Sequence, residues 1–283
     1  MMKSFVPLAW LSLAMTLSSD LRAEPRPMTI DDLLSFKRCA DPQISPDGRW
    51  LVYVVTTITD ASSNKSQSNL WLTPTDGSQP PRQLTTTEKK DRHPRWSPDG
   101  RWILFESNRS GDNQLWVISV EGGEARQLTQ VATEATTAIW SRDGRQIAFV
   151  SAVYPEFSEK PFAESNAANK KRNEEKEKSV VKARVFKRLF FRHWDSYVED
   201  KRQHLFVMSF DPTTGTAGEP KDVTPGDRDA FPTSTTFSVG DDFTFSPDGK
   251  FLLFTAVPEK DEAWSTNYDI CRVPVTGGST RWE

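Results

Sequence analysis

Ser45-Pro46-Asp47-Gly48-Arg49 returns as Ser97-Pro98-Asp99-Gly100-Arg101, as Ser141-Arg142-Asp143-Gly144-Arg145 and as Ser246-Pro247-Asp248-Gly249-Lys250. Proline presets φ for the first corner of a tight turn, aspartate bonds its local backbone, and glycine accepts a positive φ. A large apolar residue precedes each serine: Ile44, Trp96, Trp140 and Phe245. A strand-like run follows each turn, beginning Trp50-Leu51-Val52-Tyr53, Trp102-Ile103-Leu104-Phe105, Gln146-Ile147-Ala148-Phe149 and Phe251-Leu252-Leu253-Phe254. Each unit therefore reads as strand, turn, strand.

Two further markers extend every unit. Leu70-Trp71, Leu115-Trp116, Leu205-Phe206 and Ile270-Cys271 open a third strand that ends in turn-forming sequence such as Asp76-Gly77 or Gly122-Gly123. Gln83-Leu84-Thr85, Gln127-Leu128-Thr129 and Asp222-Val223-Thr224 mark a fourth. Repeats of about 40–50 residues with four antiparallel strands are the signature of propeller blades. The expected fold is all-β, a β-propeller of about four four-stranded blades in an incomplete ring. The blades span about 38–86, 87–130, 131–225 and 226–283, and residues 24–37 form a leading segment. Spacing from the third-strand markers places the last strand of the fourth blade at or past residue 283, so that blade is expected to be incomplete.

The repeat serines lie 52, 44 and 105 residues apart. The long step has a single set of third- and fourth-strand markers, so it reads as one blade with an insertion over 153–203. The run Lys170-Lys171-Arg172-Asn173-Glu174-Glu175-Lys176-Glu177-Lys178 has no apolar period. It is expected to be a solvated, mobile excursion. Val180 to Trp194 interleaves Lys182, Arg184, Lys187, Arg188 and Arg192 with Val185, Phe186, Leu189, Phe190 and Phe191. That pattern fits a basic-aromatic surface for an anionic partner, or an arm packing its aromatics on the propeller. In the leading segment, Thr29 with Asp32 three residues later fits the capped start of a short helix.

Composition agrees with a turn-rich globular chain. The 283 residues carry 36 Lys+Arg against 39 Asp+Glu, 10 Trp and 17 Phe, with 36% hydrophobic residues. A disordered chain would be poor in aromatics. A net charge of −3 offers no positive field for nucleic acid. Mean hydropathy is −0.59, and no span of about 18 apolar residues follows the N-terminus. Residues 1–23 have the order of a secretory signal: Lys3, an apolar stretch Phe5–Leu17, then Leu21-Arg22-Ala23. The chain is thus expected to be exported, periplasmic or extracellular, with no membrane span once the signal is removed.

No catalytic, cofactor-binding or metal-binding residue is assigned from the sequence. There is no Gly-x-Ser-x-Gly nucleophile elbow; Gly277-Gly278-Ser279 is the nearest glycine-flanked serine. No phosphate loop and no His-Glu-x-x-His is present. His93, His193 and His204 are isolated and read as strand-edge residues. Asp47, Asp99, Asp143 and Asp248 read as turn residues, while Asp227-Arg228-Asp229 and Asp241-Asp242 are loop pairs with no evident partner. Cys39 and Cys271 read as separate thiols.

These units resemble the propeller repeats of TolB, and equally the N-terminal propeller of prolyl-oligopeptidase-type serine peptidases. Arg202-Gln203-His204-Leu205-Phe206-Val207, Gly226-Asp227-Arg228-Asp229-Ala230-Phe231-Pro232-Thr233, Gly240-Asp241-Asp242-Phe243 and Trp264-Ser265-Thr266-Asn267-Tyr268-Asp269-Ile270 look like its acylaminoacyl-peptidase/dipeptidyl-peptidase branch. The resemblance covers about residues 29–281. It implies a non-catalytic propeller that gates peptide access to an α/β-hydrolase domain bearing a Ser-Asp-His triad. No triad residue maps onto this chain. The alternatives are a stand-alone periplasmic TolB-like propeller that binds proteins or ligands, and a structural fragment without activity of its own.

Overall fold

In the computed structural model the described residues are 26–186, 189, 191–193, 196–197, 200–232, 242–257, 264–265 and 267–282. Two compact units divide the chain, 1–35 and 36–283. The signal-like stretch 1–23 lies outside the described residues.

The first unit contains the helix α1, Ile30–Ser35. Its start is closed reciprocally. The Thr29 amide and hydroxyl donate to Asp32 at 2.8 Å each, and the Asp32 amide donates back to the Thr29 hydroxyl at 3.2 Å. This is the expected capping box.

The second unit is built from four sheets. Strands β1 (Arg38–Ile44), β2 (Trp50–Asp60), β3 (Lys65–Pro74) and β4 (Arg82–Gln83) form the first. Strands β5 (Asp91–Trp96), β6 (Trp102–Ser107), β7 (Gln114–Ser119) and β8 (Arg126–Gln127) form the second. The third starts with β9 (Thr136–Trp140) and β10 (Gln146–Val153). An insertion follows, containing the helix α2 (Phe162–Lys178) and the small hairpin β11 (Arg192–His193) and β12 (Ser196–Tyr197). The blade resumes with β13 (Arg202–Asp211), whose end carries β14 (Thr216–Ala217), and closes with β15 (Lys221–Asp222). The fourth is β16 (Phe243–Phe245), β17 (Phe251–Ala256), β18 (Asp269–Pro274) and β19 (Arg281–Trp282). Strand pairing within all four blades is antiparallel and in sequence order.

The fourth sheet corrects one expectation. Arg281 pairs with Arg272 and Trp282 with Cys271, so the last strand is present. It is two residues long, as are β4, β8 and β15. Marker spacing overshot because the pairing begins before the position where a Gln-Leu-Thr triplet would fall.

All four turns share one hydrogen-bond pattern. The serine hydroxyl donates to the aspartate at 2.6 Å in each turn. The same carboxylate accepts the amide of the following Arg or Lys at 3.1 Å. The serine oxygen accepts the amide of the first residue of the next strand at 2.9–3.0 Å. The glycines sit at φ 68–72°, a region that disfavours any side chain. Arg142 replaces proline without altering the pattern, because proline contributes only a preset φ.

Period-2 alternation gives each inner sheet two apolar faces, and the faces meet as three cores. The first joins Val52, Val54, Leu70 and Leu72 to Ile103, Phe105 and Ile118. The second joins Leu104, Leu115 and Val117 to Ile147, Phe149, Phe206, Met208 and Phe210. The third joins Ala148, Val150, Leu205 and Val207 to Phe243, Phe245, Leu252, Phe254, Cys271 and Val273. No such core joins the fourth sheet to the first among the described residues, so the ring is incomplete. Burying one Leu- or Phe-sized side chain is worth about 1.5–3 kcal/mol, and each seam buries several.

The insertion departs from expectation in its first half. The charge-dense run is the C-terminal part of the 17-residue helix α2. Its residues are good helix formers, and Lys171–Glu175 and Glu174–Lys178 stand one turn apart as ion pairs. It docks through amides, with Phe162 at its start packed edge-on against Phe206. Asn166 accepts the Ala132 amide at 2.8 Å and donates to the Gln130 carbonyl, while Asn173 donates to the Ala132 carbonyl at 3.0 Å. Asn169, buried, accepts the Tyr154 amide at 2.9 Å. In the second half, Phe186 stacks on Tyr197 and meets Phe191, and the Arg184 guanidinium lies 4.1 Å from the Tyr197 ring centre. Lys187, Arg188, Phe190 and Trp194 lie outside the described residues.

Candidate functional site: the inner strands of the first three blades

The inner strands β1, β5 and β9 share a distortion that the repeat alone does not announce. Asp41, His93 and Thr137 each stand four residues before the repeat serine, and all three have positive φ, at 47°, 54° and 52°. A register shift lies at each place. Such bulges leave one residue unpaired and re-aim the neighbouring side chains. A left-handed conformation at a non-glycine residue costs about 1–3 kcal/mol and persists only where its surroundings fix it.

Those surroundings are charged. The Arg95 guanidinium donates to both Asp41 oxygens at 3.0 and 2.9 Å and to Nδ1 of His93 at 3.1 Å. Burial, and then the Arg95 charge, push the His93 imidazole well below its ordinary value. The Thr137 amide donates to Glu106 at 2.6 Å, and Arg92 donates to the other Glu106 oxygen at 3.1 Å. Glu106 is buried, and that burial raises its carboxyl above the usual range against the pull of the Thr137 amide and Arg92. Two indoles complete the stitching: Trp96 donates to the Gln43 carbonyl at 2.9 Å and Trp140 to the Arg95 carbonyl at 3.1 Å. A cleft of about 370 Å³ opens beside them, lined in part by Gln43, Arg95, Trp96, Ile139 and Trp140.

Each Glu106 oxygen and Nδ1 of His93 accept a hydrogen bond, while Nε2 of His93 is buried without a hydrogen-bond partner among the described residues. The arrangement suits holding the blades in register and presenting arginines to an anionic or carbonyl-bearing ligand. Sequence reasoning missed this cluster. Its signal was Glu106, a carboxylate four residues after Trp102 where the other units carry Val54, Val150 and Thr255.

The other residues considered from sequence are dispersed. His204 lies within β13, fully buried, and not at a strand border. His193 falls in β11. Asp227 and Asp229 do have a partner, since Arg202 donates to each at 2.7 Å. Asp241 lies outside the described residues. In the turns, the Ser45 hydroxyl leads the bonds that hold Asp47 down to about 2, and Ser141 and Ser246 likewise lower Asp143 and Asp248. Cys39 is exposed and Cys271 buried, both as free thiols. Around α2, Arg172, Lys176, Lys182 and Arg184 line a cleft of about 540 Å³. Lys182 donates to the Glu177 carbonyl there, so part of that charge answers the helix C-terminus.

Comparison with known proteins accords with this architecture. The tricorn protease N-terminal beta propeller domain matches residues 63–214. The uncharacterised peptidase YuxL of Bacillus subtilis (strain 168) is 32% identical over 240 residues, covering 83% of this chain and 32% of the relative. Dipeptidyl-peptidase 5 of Porphyromonas gingivalis is 30% identical over 257 residues, covering 89% of this chain and 35% of the relative. The chain spans about a third of the length of these curated relatives. Among solved structures, an uncomplexed Pyrococcus horikoshii acylaminoacyl peptidase matches with a TM-score of 0.53 at 16% identity. That match covers 87% of this chain and 32% of that chain. At that identity the likeness concerns the fold.

Proposed function

The chain belongs to the family of tricorn protease N-terminal β-propeller domains, and from that premise we propose that it is the non-catalytic propeller part of an exported serine peptidase acting on peptides. The observation that carries the reading is the 32% identity to a peptidase across 83% of this chain, against a third of the peptidase. In this reading a hydrolase domain outside these residues supplies the nucleophile, base and acid. The propeller restricts entry to short or flexible peptides, and the inner-strand cleft with Arg95 meets the passing chain. The signal-like order of residues 1–23 supports export in this reading. No helix among the described residues is long and apolar enough to cross a membrane.

A second reading, a TolB-like binding propeller, is supported by 34% identity over 58 residues to the Tol-Pal system protein TolB of Bordetella pertussis. One experiment separates the two. A fluorophosphonate serine probe and a dipeptidyl reporter substrate are applied to this chain and to the full product of its gene. The peptidase reading expects labelling and turnover in the full product alone. Labelling of this chain, or silence in both, overturns it.

A further inference from the structure

We infer that the linker leaving the third blade is fastened by a proton-dependent clasp, where the two preceding linkers are fastened by clasps that carry no titratable proton. In each of the first three blades the residue before the third-strand apolar pair is polar and buried: Asn69, Gln114 and His204. The next amide, of Leu70, Leu115 or Leu205, donates to the threonine that ends the fourth-strand marker at 2.9–3.0 Å, which fixes the three positions as equivalent. Asn69 accepts the Thr87 amide at 2.7 Å and donates to the Thr87 carbonyl at 3.2 Å. Gln114 accepts the Val131 amide at 3.0 Å and donates to the Val131 carbonyl at 2.8 Å. An amide offers one donor and one acceptor whatever the pH, and each grips one linker residue by both backbone groups.

The imidazole does this job differently. His204 Nδ1 lies 2.7 Å from an Asp222 oxygen, and Nε2 lies 2.9 Å from the Gly226 carbonyl. The carbonyl can only accept, and an ionised carboxylate can only accept. Both contacts are hydrogen bonds only when the pair holds one proton more than a neutral imidazole facing a carboxylate. Take that proton away and one ring nitrogen presents a lone pair to an acceptor in a fully buried site. The remaining ties of the linker converge nearby: the Gly226 amide donates to the Ser158 hydroxyl at 3.0 Å and the Ala230 amide to the Gln203 carbonyl at 2.8 Å. The charged groups about His204 are Arg202 on its own strand, Asp222 on β15, and Asp227 and Asp229 on the linker. Its register partner on β10 is Ser151, and the 3-10 turn Pro155–Phe157 is followed there by Ser158. The clasp therefore joins the stem of the insertion to the approach to the fourth blade.

The sign follows from the proton. The folded clasp holds that proton, so the fastening is complete where the pair is protonated and is lost where it is not. Hydrogen exchange of the whole chain tests this with internal controls, comparing protection of 224–232 with that of 86–90 and 130–134 at pH 6 and pH 8.5. Corrected for intrinsic exchange, protection of 224–232 is expected to fall roughly three- to tenfold relative to the other two, the weight of one net hydrogen bond. His204→Gln restores an amide at the position and is expected to remove that pH response. Equal behaviour of all three linkers overturns the proposal, as does a His204→Gln variant that keeps the loss. Should that variant fail to fold, the three-linker comparison in the unmodified chain decides alone.

Discussion

The seam between the first two blades and the seam between the last two bury similar apolar sets but are finished differently at their inner ends. At the first seam Trp96 reaches across to the Gln43 carbonyl and Arg95 reaches across to Asp41, so register is fixed by directional bonds. At the last seam the equivalent of Trp96 is Phe245, which has no donor, and it sits among Val150, Phe243 and Phe254. Apolar contact alone tolerates sliding; a hydrogen bond does not. The first seam is therefore the one built to hold a geometry, and it is also where the strained inner-strand residues Asp41 and His93 occur.

The seams can be broken separately. Phe254→Ala at the last seam is expected to cost about 3–5 kcal/mol, because the cavity left behind adds to the lost transfer energy. Phe105→Ala at the first seam is expected to cost a similar amount, and denaturant midpoints of the two variants check both. Trp96→Phe, which gives the first seam the finish of the last, is expected to cost about 1–3 kcal/mol through the unpaired Gln43 carbonyl. The reverse change, Phe245→Trp, is expected to give less than that, because the larger indole must be fitted into a core where Phe245 is already buried. Gly100→Ala, in the turn leading into the first seam, is expected to cost about 1–2 kcal/mol from its left-handed φ. The smallest effect is acid sensitivity of the turns. Asp47 is depressed to about 2, so its support is complete above the ordinary carboxylate range of about 4 and is lost as pH falls toward 2. Exchange of the Arg49 and Trp50 amides between pH 4 and 2 reads that loss.

What could be read from sequence was whatever local chemistry dictates. Gly48, Gly100, Gly144 and Gly249 need a positive φ, and the serine and aspartate beside each can bond only their own turn, so four hairpins and their order were legible. The apolar alternation after each turn then required sheets stacked face to face. The helix α2 was not legible, because its docking face is Asn166, Asn169 and Asn173, a polar stripe indistinguishable from solvated charge by hydropathy. The short strand β19 escaped because two residues carry no periodicity. The inner-strand cluster is made by residues far apart in sequence, Asp41 with Arg95 and Glu106 with Thr137, and nothing local to either member names the other.

The asparagine stripe of α2 has a consequence for how such an insertion is acquired. Asn166 and Asn173 address only main-chain groups, at Gln130 and Ala132, and these are groups that every amino acid except proline supplies in full. Bonds of this kind place almost no demand on the side chains of the linker beneath the helix, whose one apolar anchor is Phe162 against Phe206. The linker sequence is free to drift beneath it, and the helix is portable: transplanted between β10 and β13 equivalents of another propeller with the same linker path, it would find its anchors already in place.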